Sequence, residues 1–213
     1  MNKKISLPSL KRLPKYYSIV CEYYKEGREY VKSLEIAKKL DIDETQVRKD
    51  IALLNYAGKP KVGFNTYELK KELEEFLDLN NMKDSFLIGT GNLGLAIAKY
   101  NGFEKYGLNI TALFDTDPHK IGLRVGDKEI FHVSKFPDLA KRMQIKLIII
   151  AVPGQEAQNI ADIAVNAGVK AIWNFAPENI EVPKDVLVIN QDLATDYMVL
   201  WLQLLNKNSS ILA

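Results

Sequence analysis

The chain has 213 residues, 47% of them apolar, with 29 Lys and Arg against 27 Asp and Glu, which suits one large or two small folded domains and excludes a disordered polyelectrolyte. No run of 18 apolar residues occurs, the opening residues lack the apolar core of a signal peptide, and the single cysteine, Cys21, excludes an internal disulfide framework or a cysteine-rich metal site. A cytoplasmic protein with no bound metal and no membrane association is therefore expected.

The net charge of +2 conceals a split: residues 1–64 carry 14 basic against 8 acidic residues, and the remainder 15 against 19. A basic module followed by a mildly acidic one suggests a polyanion as partner of the first. Lys11 to Glu26 reads as a helix with Leu13, Tyr17, Val20 and Tyr24 on one face, and Pro14 fits only near its start. Ser33 is placed to cap a short second helix with Leu34, Ala37 and Leu40 inward. The turn Asp41-Ile42-Asp43 leads to a third, opened by Asp43 with Gln46 in capping-box position. Val47, Ile51 and Leu54 take its inner face. Thr45, Arg48, Lys49 and Ala52 take the outer one, a mixture of cations, hydroxyl and methyl groups suited to a DNA major groove.

Lys59-Pro60-Lys61-Val62-Gly63-Phe64 then makes a compact basic turn, so the first 65 residues read as a winged helix-turn-helix with Lys59 and Lys61 in the wing. Three-helix modules also serve in dimerisation and peptide binding. A helix over residues 65–79, with Leu69, Leu73, Phe76 and Leu77, is expected to bridge to the next domain, with the boundary near residues 80–84.

At Phe86-Leu87-Ile88-Gly89-Thr90-Gly91-Asn92-Leu93-Gly94 an apolar run breaks into GxGxxG and resumes as a helical pattern. Gly89 permits the tight turn, Gly91 lets the backbone approach a pyrophosphate, and Gly94 lets the helix pack on the strand. A second run, Ile110 to Phe114, ends in Asp115, 21 positions after Gly94, where a carboxylate can bond the adenosine ribose. No Arg follows closely, so NAD(H) is favoured over NADP(H). Strands are expected over Lys146 to Val152, Val169 to Phe175 and Asp185 to Asn190, with a helix from Pro153-Gly154 to Gly168. The strand ends place Val152, Pro153, Asn174 and Phe175 as candidate nicotinamide-side contacts, and His132 falls in an irregular stretch. The last helix, Leu193 to Leu205, is apolar around much of its circumference and must be buried on several sides, in part by the parent domain and for the rest by insertion between domains or into a partner subunit, of which a dimer is favoured.

Together the motifs resemble the redox-sensing transcriptional repressor Rex family over nearly the whole chain. The residues that carry the resemblance are Leu10 to Tyr17, Gln46-Val47-Arg48-Lys49-Asp50, the glycine motif, Phe114 to Gly122, Ala151-Val152-Pro153 and Asn174-Phe175-Ala176-Pro177. It implies an α/β chain: a winged helix-turn-helix DNA-binding domain over 1–80, a Rossmann domain with a doubly wound parallel sheet over 81–192, and a C-terminal helix over 193–213 exchanged across a homodimer. It implies a repressor, not an enzyme, that binds operator DNA when NADH is scarce and leaves it when NADH binds. The implied cofactor-binding residues are Gly89, Thr90, Gly91, Asn92, Leu93, Gly94, Tyr100, Asp115, Val152, Pro153, Asn174, Phe175 and, from the partner subunit, Asp192. The implied DNA-binding residues are Lys11, Arg12, Thr45, Gln46, Arg48, Lys49, Lys59 and Lys61.

The chain departs from the family pattern in three places. Ala52-Leu53-Leu54-Asn55 stands where Ser-Tyr-Phe-Gly is usual, Pro60-Lys61 where Arg-Gly is usual, and Ser18 where an Arg pairs with the acid matching Asp192. The rival readings are an NAD-dependent dehydrogenase, for which no convincing proton-transfer dyad is apparent, and a ligase-type CoA-binding domain, against which Asp115 and the basic module count.

Overall fold

The computed structural model describes residues 5–209, which divide into two compact units: 5–82 with Lys105–Gly107, and 83–104 with 108–209. In the first unit α1 spans Leu7–Lys25. It starts four residues before the sequence expectation because Ser6 accepts the Ser9 N–H as N-cap and Pro8 sits in the first turn, a strong start signal that leaves Pro14 inside the helix. The buried stripe is Leu13, Tyr16, Val20 and Tyr23, with Ile19 alongside. Tyr17 is only half-buried and Tyr24 is exposed, so the expected face is rotated by one residue.

Strand β1 (Tyr30–Val31) leads to α2 (Ser33–Leu40). Lys32, not Ser33, is the N-cap residue, its N–H donating to the Glu35 carboxylate, while the Ser33 hydroxyl donates to Glu44. Ile36 and Ala37 fill the core and Leu34 is exposed. Helix α3 (Glu44–Ile51) opens with Asp43 accepting the Thr45 N–H at 2.7 Å. Gln46 closes no capping box, because its amide donates to Asp50. A 3₁₀ turn over Ala52–Leu54 follows, then β2 (Phe64–Asn65), antiparallel to β1. The wing forms between them, Lys59 and Gly63 exchanging backbone hydrogen bonds. Helix α4 (Thr66–Phe76) buries Leu69 and Leu73 against α1, so it belongs to this unit's core.

One polar network is buried in that core. The Asp50 carboxylate, 1% exposed, accepts from Arg12 at 2.6 and 3.1 Å, from the Tyr16 hydroxyl at 2.7 Å and from Gln46 at 2.9 Å. This ties α1 to α3. Arg12, expected on DNA, is tied through Nε and Nη2 to Asp50 with its side chain 21% exposed, and Gln46, also expected there, is held in the same network. Burial alone would raise the Asp50 pKa, but the bonds from Arg12, Tyr16, Ser9 and Gln46 outweigh it and hold the group below the ordinary carboxylate value.

The second unit carries a seven-stranded sheet in the order β5-β6-β4-β3-β7-β8-β9, parallel except for β5 on β6. The strands are β3 (Lys83–Ile88), β4 (Leu108–Asp115), β5 (Arg124–Val125), β6 (Lys128–His132), β7 (Leu147–Ile150), β8 (Ala171–Asn174) and β9 (Leu187–Asn190). Helices α5 (Asn92–Ala98), α6 (Phe136–Arg142) and α7 (Gly154–Asn166) connect them. Alternate residues serve opposite faces: Phe86, Ile88, Ile148 and Ile150 pack with α6 and α7, while Leu87, Leu113 and Ile149 pack with Ile97 of α5. The region around His132, expected to be irregular, is the edge pair β5 and β6. Its Lys, Glu and His hide the strand pattern, and only Ile130 of β6 is buried.

Helix α8 (Leu193–Ser209) ends the described chain. Within one chain it is not buried as expected: Met198, Val199, Leu200, Trp201, Leu202 and Leu205 are each 45–66% exposed. Among the described residues no helix is long and apolar enough to cross a membrane.

Removing Arg12 leaves Asp50 as an uncompensated buried charge, so Arg12→Ala should cost about 3–5 kcal/mol in urea unfolding. Because the folded pKa of Asp50 is depressed, its contribution is present above the unfolded carboxylate value, about 3.9, and is lost as pH falls through the folded value. The variant's deficit should therefore be full at pH 7 and shrink below pH 4. A surface phosphate contact would instead leave stability unchanged.

Candidate functional site

Two sites emerge. The first lies where the strand order reverses, between the C-terminal ends of β3 and β7, the crevice at which doubly wound sheets bind ligands. Gly89 has φ +99°, and a Cβ there would come 2.4 Å from the Ala151 carbonyl oxygen. Only glycine meets both demands. At Gly94 a Cβ would lie 1.9 Å from the Gly89 carbonyl oxygen, so α5 packs on the turn only because that side chain is missing. Gly91 differs: nothing lies within 4 Å of its would-be Cβ, and its φ of −69° suits any residue. Nothing in the fold requires glycine at this position. Gly89 thus serves the turn and Gly94 the packing, while Gly91 serves neither.

A cavity of about 310 Å³ opens beside this turn, lined by Gly89, Thr90, Gly91, Asp115, Val152 and Pro153, six of the residues expected from sequence. Asp115 ends β4. Its Oδ2 accepts the Thr90 N–H at 2.9 Å, the Thr90 hydroxyl, and the Lys120 ammonium at 3.2 Å, and its Oδ1 accepts the Asp117 N–H at 2.9 Å. Burial would raise the Asp115 pKa, but these donors lower it to about 2, leaving an ionised carboxylate at the cavity wall. Thr90, 1% exposed, acts by holding Asp115. Lys120 also lines the cavity, so a cation stands beside Asp115 despite the lack of a nearby Arg. The sequence signal was the turn Asp115-Thr116-Asp117-Pro118, which brings position 120 back toward position 115.

Other expected residues lie elsewhere in this unit. Asn92, Leu93 and Gly94 open α5. Tyr100 is 59% exposed, with its ring 4.9 Å from Phe103, and does not line the cavity. Asn174 is fully buried, donating to the Glu178 carbonyl and to Asn190 and accepting the Ala176 N–H; the amide that sequence placed on a ligand instead braces the strand end. Phe175 packs on Trp173 at 4.8 Å. Asp192 accepts the Ala194 and Thr195 N–H groups and the Thr195 hydroxyl at the start of α8. His119 is exposed, and the His132 ring accepts the Ser134 N–H. Among the described residues no group of three or more His, Cys, Asp or Glu is arranged to hold a metal.

The second site is a cleft of about 550 Å³ between α3 and the wing, walled by Arg48, Ala52, Lys59 and Lys61 and also by Lys32 and Tyr56, which the sequence reading passed over. Lys32 sits at the N-cap of α2, outside any basic run. Thr45, Arg48, Lys49 and Ala52 are exposed as expected, and Lys11 is exposed on α1. Arg48 pairs with Glu44 at 3.3 Å and Lys59 donates to the Tyr30 hydroxyl at 3.0 Å, both at the surface. The departures from the family pattern also gain a physical reading. Asn55 and Lys61, which stand where glycine is usual, have φ of +56° and +65°. Asn tolerates that region well, while Lys61 holds it at a cost of about 1 kcal/mol.

Comparison with known proteins follows the same division. The family described as "Putative DNA-binding protein N-terminus" matches residues 4–52, and "CoA binding domain" matches residues 80–178. The chain is 38% identical over 193 residues to the redox-sensing transcriptional repressor Rex of Treponema denticola, covering 91% of this chain and 92% of that one. It is 41% identical over 177 residues to Rex of Thermosipho africanus, covering 83% and 86%. The solved structure of RSP with β-NAD⁺ and operator DNA superposes with a TM-score of 0.91 at 34% identity, covering 97% of this chain and 95% of that one. RSP with β-NADH gives 0.86 at 34% identity, covering 97% of each.

The glycines should respond differently to the same methyl group. Gly94→Ala overpacks the turn and should lose about 3 kcal/mol or more of stability in urea unfolding. Gly91→Ala should change stability by less than about 1 kcal/mol, since its Cβ meets nothing.

Proposed function

We propose, from the fact that the chain belongs to the redox-sensing transcriptional repressor Rex family, that it is an NADH-responsive repressor that binds operator DNA and is released from it when NADH binds. The observation that carries this is the pairing in one chain of an ionised Asp115 on a glycine-turn cavity with a winged helix whose outer face is Thr45, Arg48, Lys49 and Ala52. A dehydrogenase or a CoA-binding ligase domain would leave the basic winged helix without a use. We read the chain as a cytoplasmic regulator and not an enzyme.

The residues present fit an adenosine-phosphate group. Bare backbone at Gly91 allows close approach of the phosphates, Asp115 takes the ribose, and the Val152-Pro153 wall bounds the cavity. When bound, a nicotinamide dinucleotide supplies a ring that differs between its two oxidation states by one positive charge. This chain's part is to turn that difference into a difference in affinity between two arrangements, because a ligand shifts an equilibrium only by its differential affinity. Tyr100, exposed after α5, and Asp192, at the head of α8, are the groups we assign to that end, with Asn174 bracing the strand beneath. With Ser18 in place of Arg, Asp192 lacks its usual counter-charge and is friendlier to cationic NAD⁺.

On DNA, Arg48 and Lys49 of α3 are assigned to the major groove with Thr45. Lys59 and Lys61 of the wing and Lys11 of α1 are assigned to phosphates. Helix α8 is assigned to the dimer: its exposed Met198, Leu200, Trp201 and Leu205 form far more apolar surface than a lone helix leaves in water, and exchange across a homodimer covers it.

Operator binding measured by fluorescence anisotropy should weaken as NADH is added and respond far less to NAD⁺; equal response to both would end the redox reading. Asp115→Ala should weaken NADH binding by about 1–3 kcal/mol in calorimetry. The Arg48→Ala, Lys49→Ala double variant should lose most operator affinity, keep NADH affinity and show a shallower salt dependence. Leu200→Glu with Trp201→Glu should give a monomer by sedimentation.

A further inference from the structure

Asp115 is usually pictured as gripping both ribose hydroxyls of an adenosine, yet here its acceptor capacity is nearly spent. A carboxylate oxygen has two lone pairs, and Oδ2 already meets three donors: the Thr90 N–H, the Thr90 hydroxyl and the Lys120 ammonium. Oδ1 meets the Asp117 N–H, so one lone pair remains. A ribose diol offers two hydroxyls. One can donate to that lone pair, and the other needs a second partner within the same wall of the cavity.

Lys120 is that partner. Its side chain is 35% exposed, it lines the same cavity, and its ammonium carries three N–H bonds, one directed at Asp115 at 3.2 Å and a longer one toward Asp117 at 3.8 Å. A donor therefore remains for a ribose oxygen. We propose that Lys120 is the second ribose-reading group of this site and that, once the charge of Asp115 is removed, it becomes a binding point for a 2′-phosphate. In the chain as it stands the ammonium is neutralised by Asp115 and Asp117, so a dianionic 2′-phosphate meets a net negative wall. Discrimination against phosphorylated dinucleotides thus rests on the balance of the ion pair. The lack of an arginine is not what decides it.

This inference rests on the cavity being the adenosine end of a dinucleotide site. The test therefore titrates the full-length chain with NADH and NADPH separately by calorimetry. Asp115→Asn deletes the charge while its one amide oxygen can still accept from Thr90, at the cost of the bond from the Asp117 N–H. It should weaken NADH and strengthen NADPH, shifting the ratio of the two affinities by about tenfold or more, the scale of one charge-assisted contact to phosphate. Adding Lys120→Met should abolish the NADPH gain. Lys120→Met alone, which leaves Asp115 in place, should lower NADPH affinity more than NADH affinity. A parent chain that binds neither nucleotide would refute the cavity assignment itself. A parent that binds NADH, with an NADPH gain in Asp115→Asn that is absent or survives Lys120→Met, or an unchanged ratio in Lys120→Met alone, would overturn the role of Lys120 and leave the assignment standing.

Discussion

Everything on the nucleotide side of this protein depends on the approach of α5 to the turn that precedes it. A single added methyl at Gly94 would sit 1.9 Å from the Gly89 carbonyl oxygen, and one at Gly89 would sit 2.4 Å from the Ala151 carbonyl oxygen. The turn is thus clamped between its own helix and the end of β7. Thr90, held between those glycines, reaches Asp115 at the end of the neighbouring strand and orients its carboxylate. Three strand ends are fixed against one another in this way before any ligand arrives, which makes the cavity a formed feature of the fold.

The DNA-facing unit uses a different device for the same purpose. Here a buried carboxylate, Asp50, gathers Arg12 and Tyr16 from α1 and Gln46 from its own helix. Such a charge is costly to bury, and the dense hydrogen bonding offsets that cost while admitting one relative placement of α1 and α3. The exposed face of α3, with Thr45, Arg48 and Lys49, is therefore presented by a rigid base. The wing is held more lightly, by the Lys59 and Gly63 backbone bonds and by Lys61 in a left-handed conformation.

Local periodicity and spacing determined a large part of this protein. The three helices of the first unit, the strand, glycine turn and helix at β3 and α5, the strands β7, β8 and β9, Asp115 at the end of β4 and the outward face of α3 were legible, because each depends on residues a few positions apart. Several features were decided only by the tertiary structure. Tyr16 faces inward in place of Tyr17 because its hydroxyl finds Asp50, 34 positions away, and Arg12 meets that same carboxylate across 38 positions. Asn174 braces a strand because Glu178 and Asn190 come to it, and β6 is a strand because β4 pairs with it, whatever its charged sequence suggests. Lys120 joins the cavity wall because a turn folds it back on Asp115. Periodicity reports which side of an element is apolar. Which polar group satisfies which depends on parts of the chain that only folding brings within hydrogen-bonding distance.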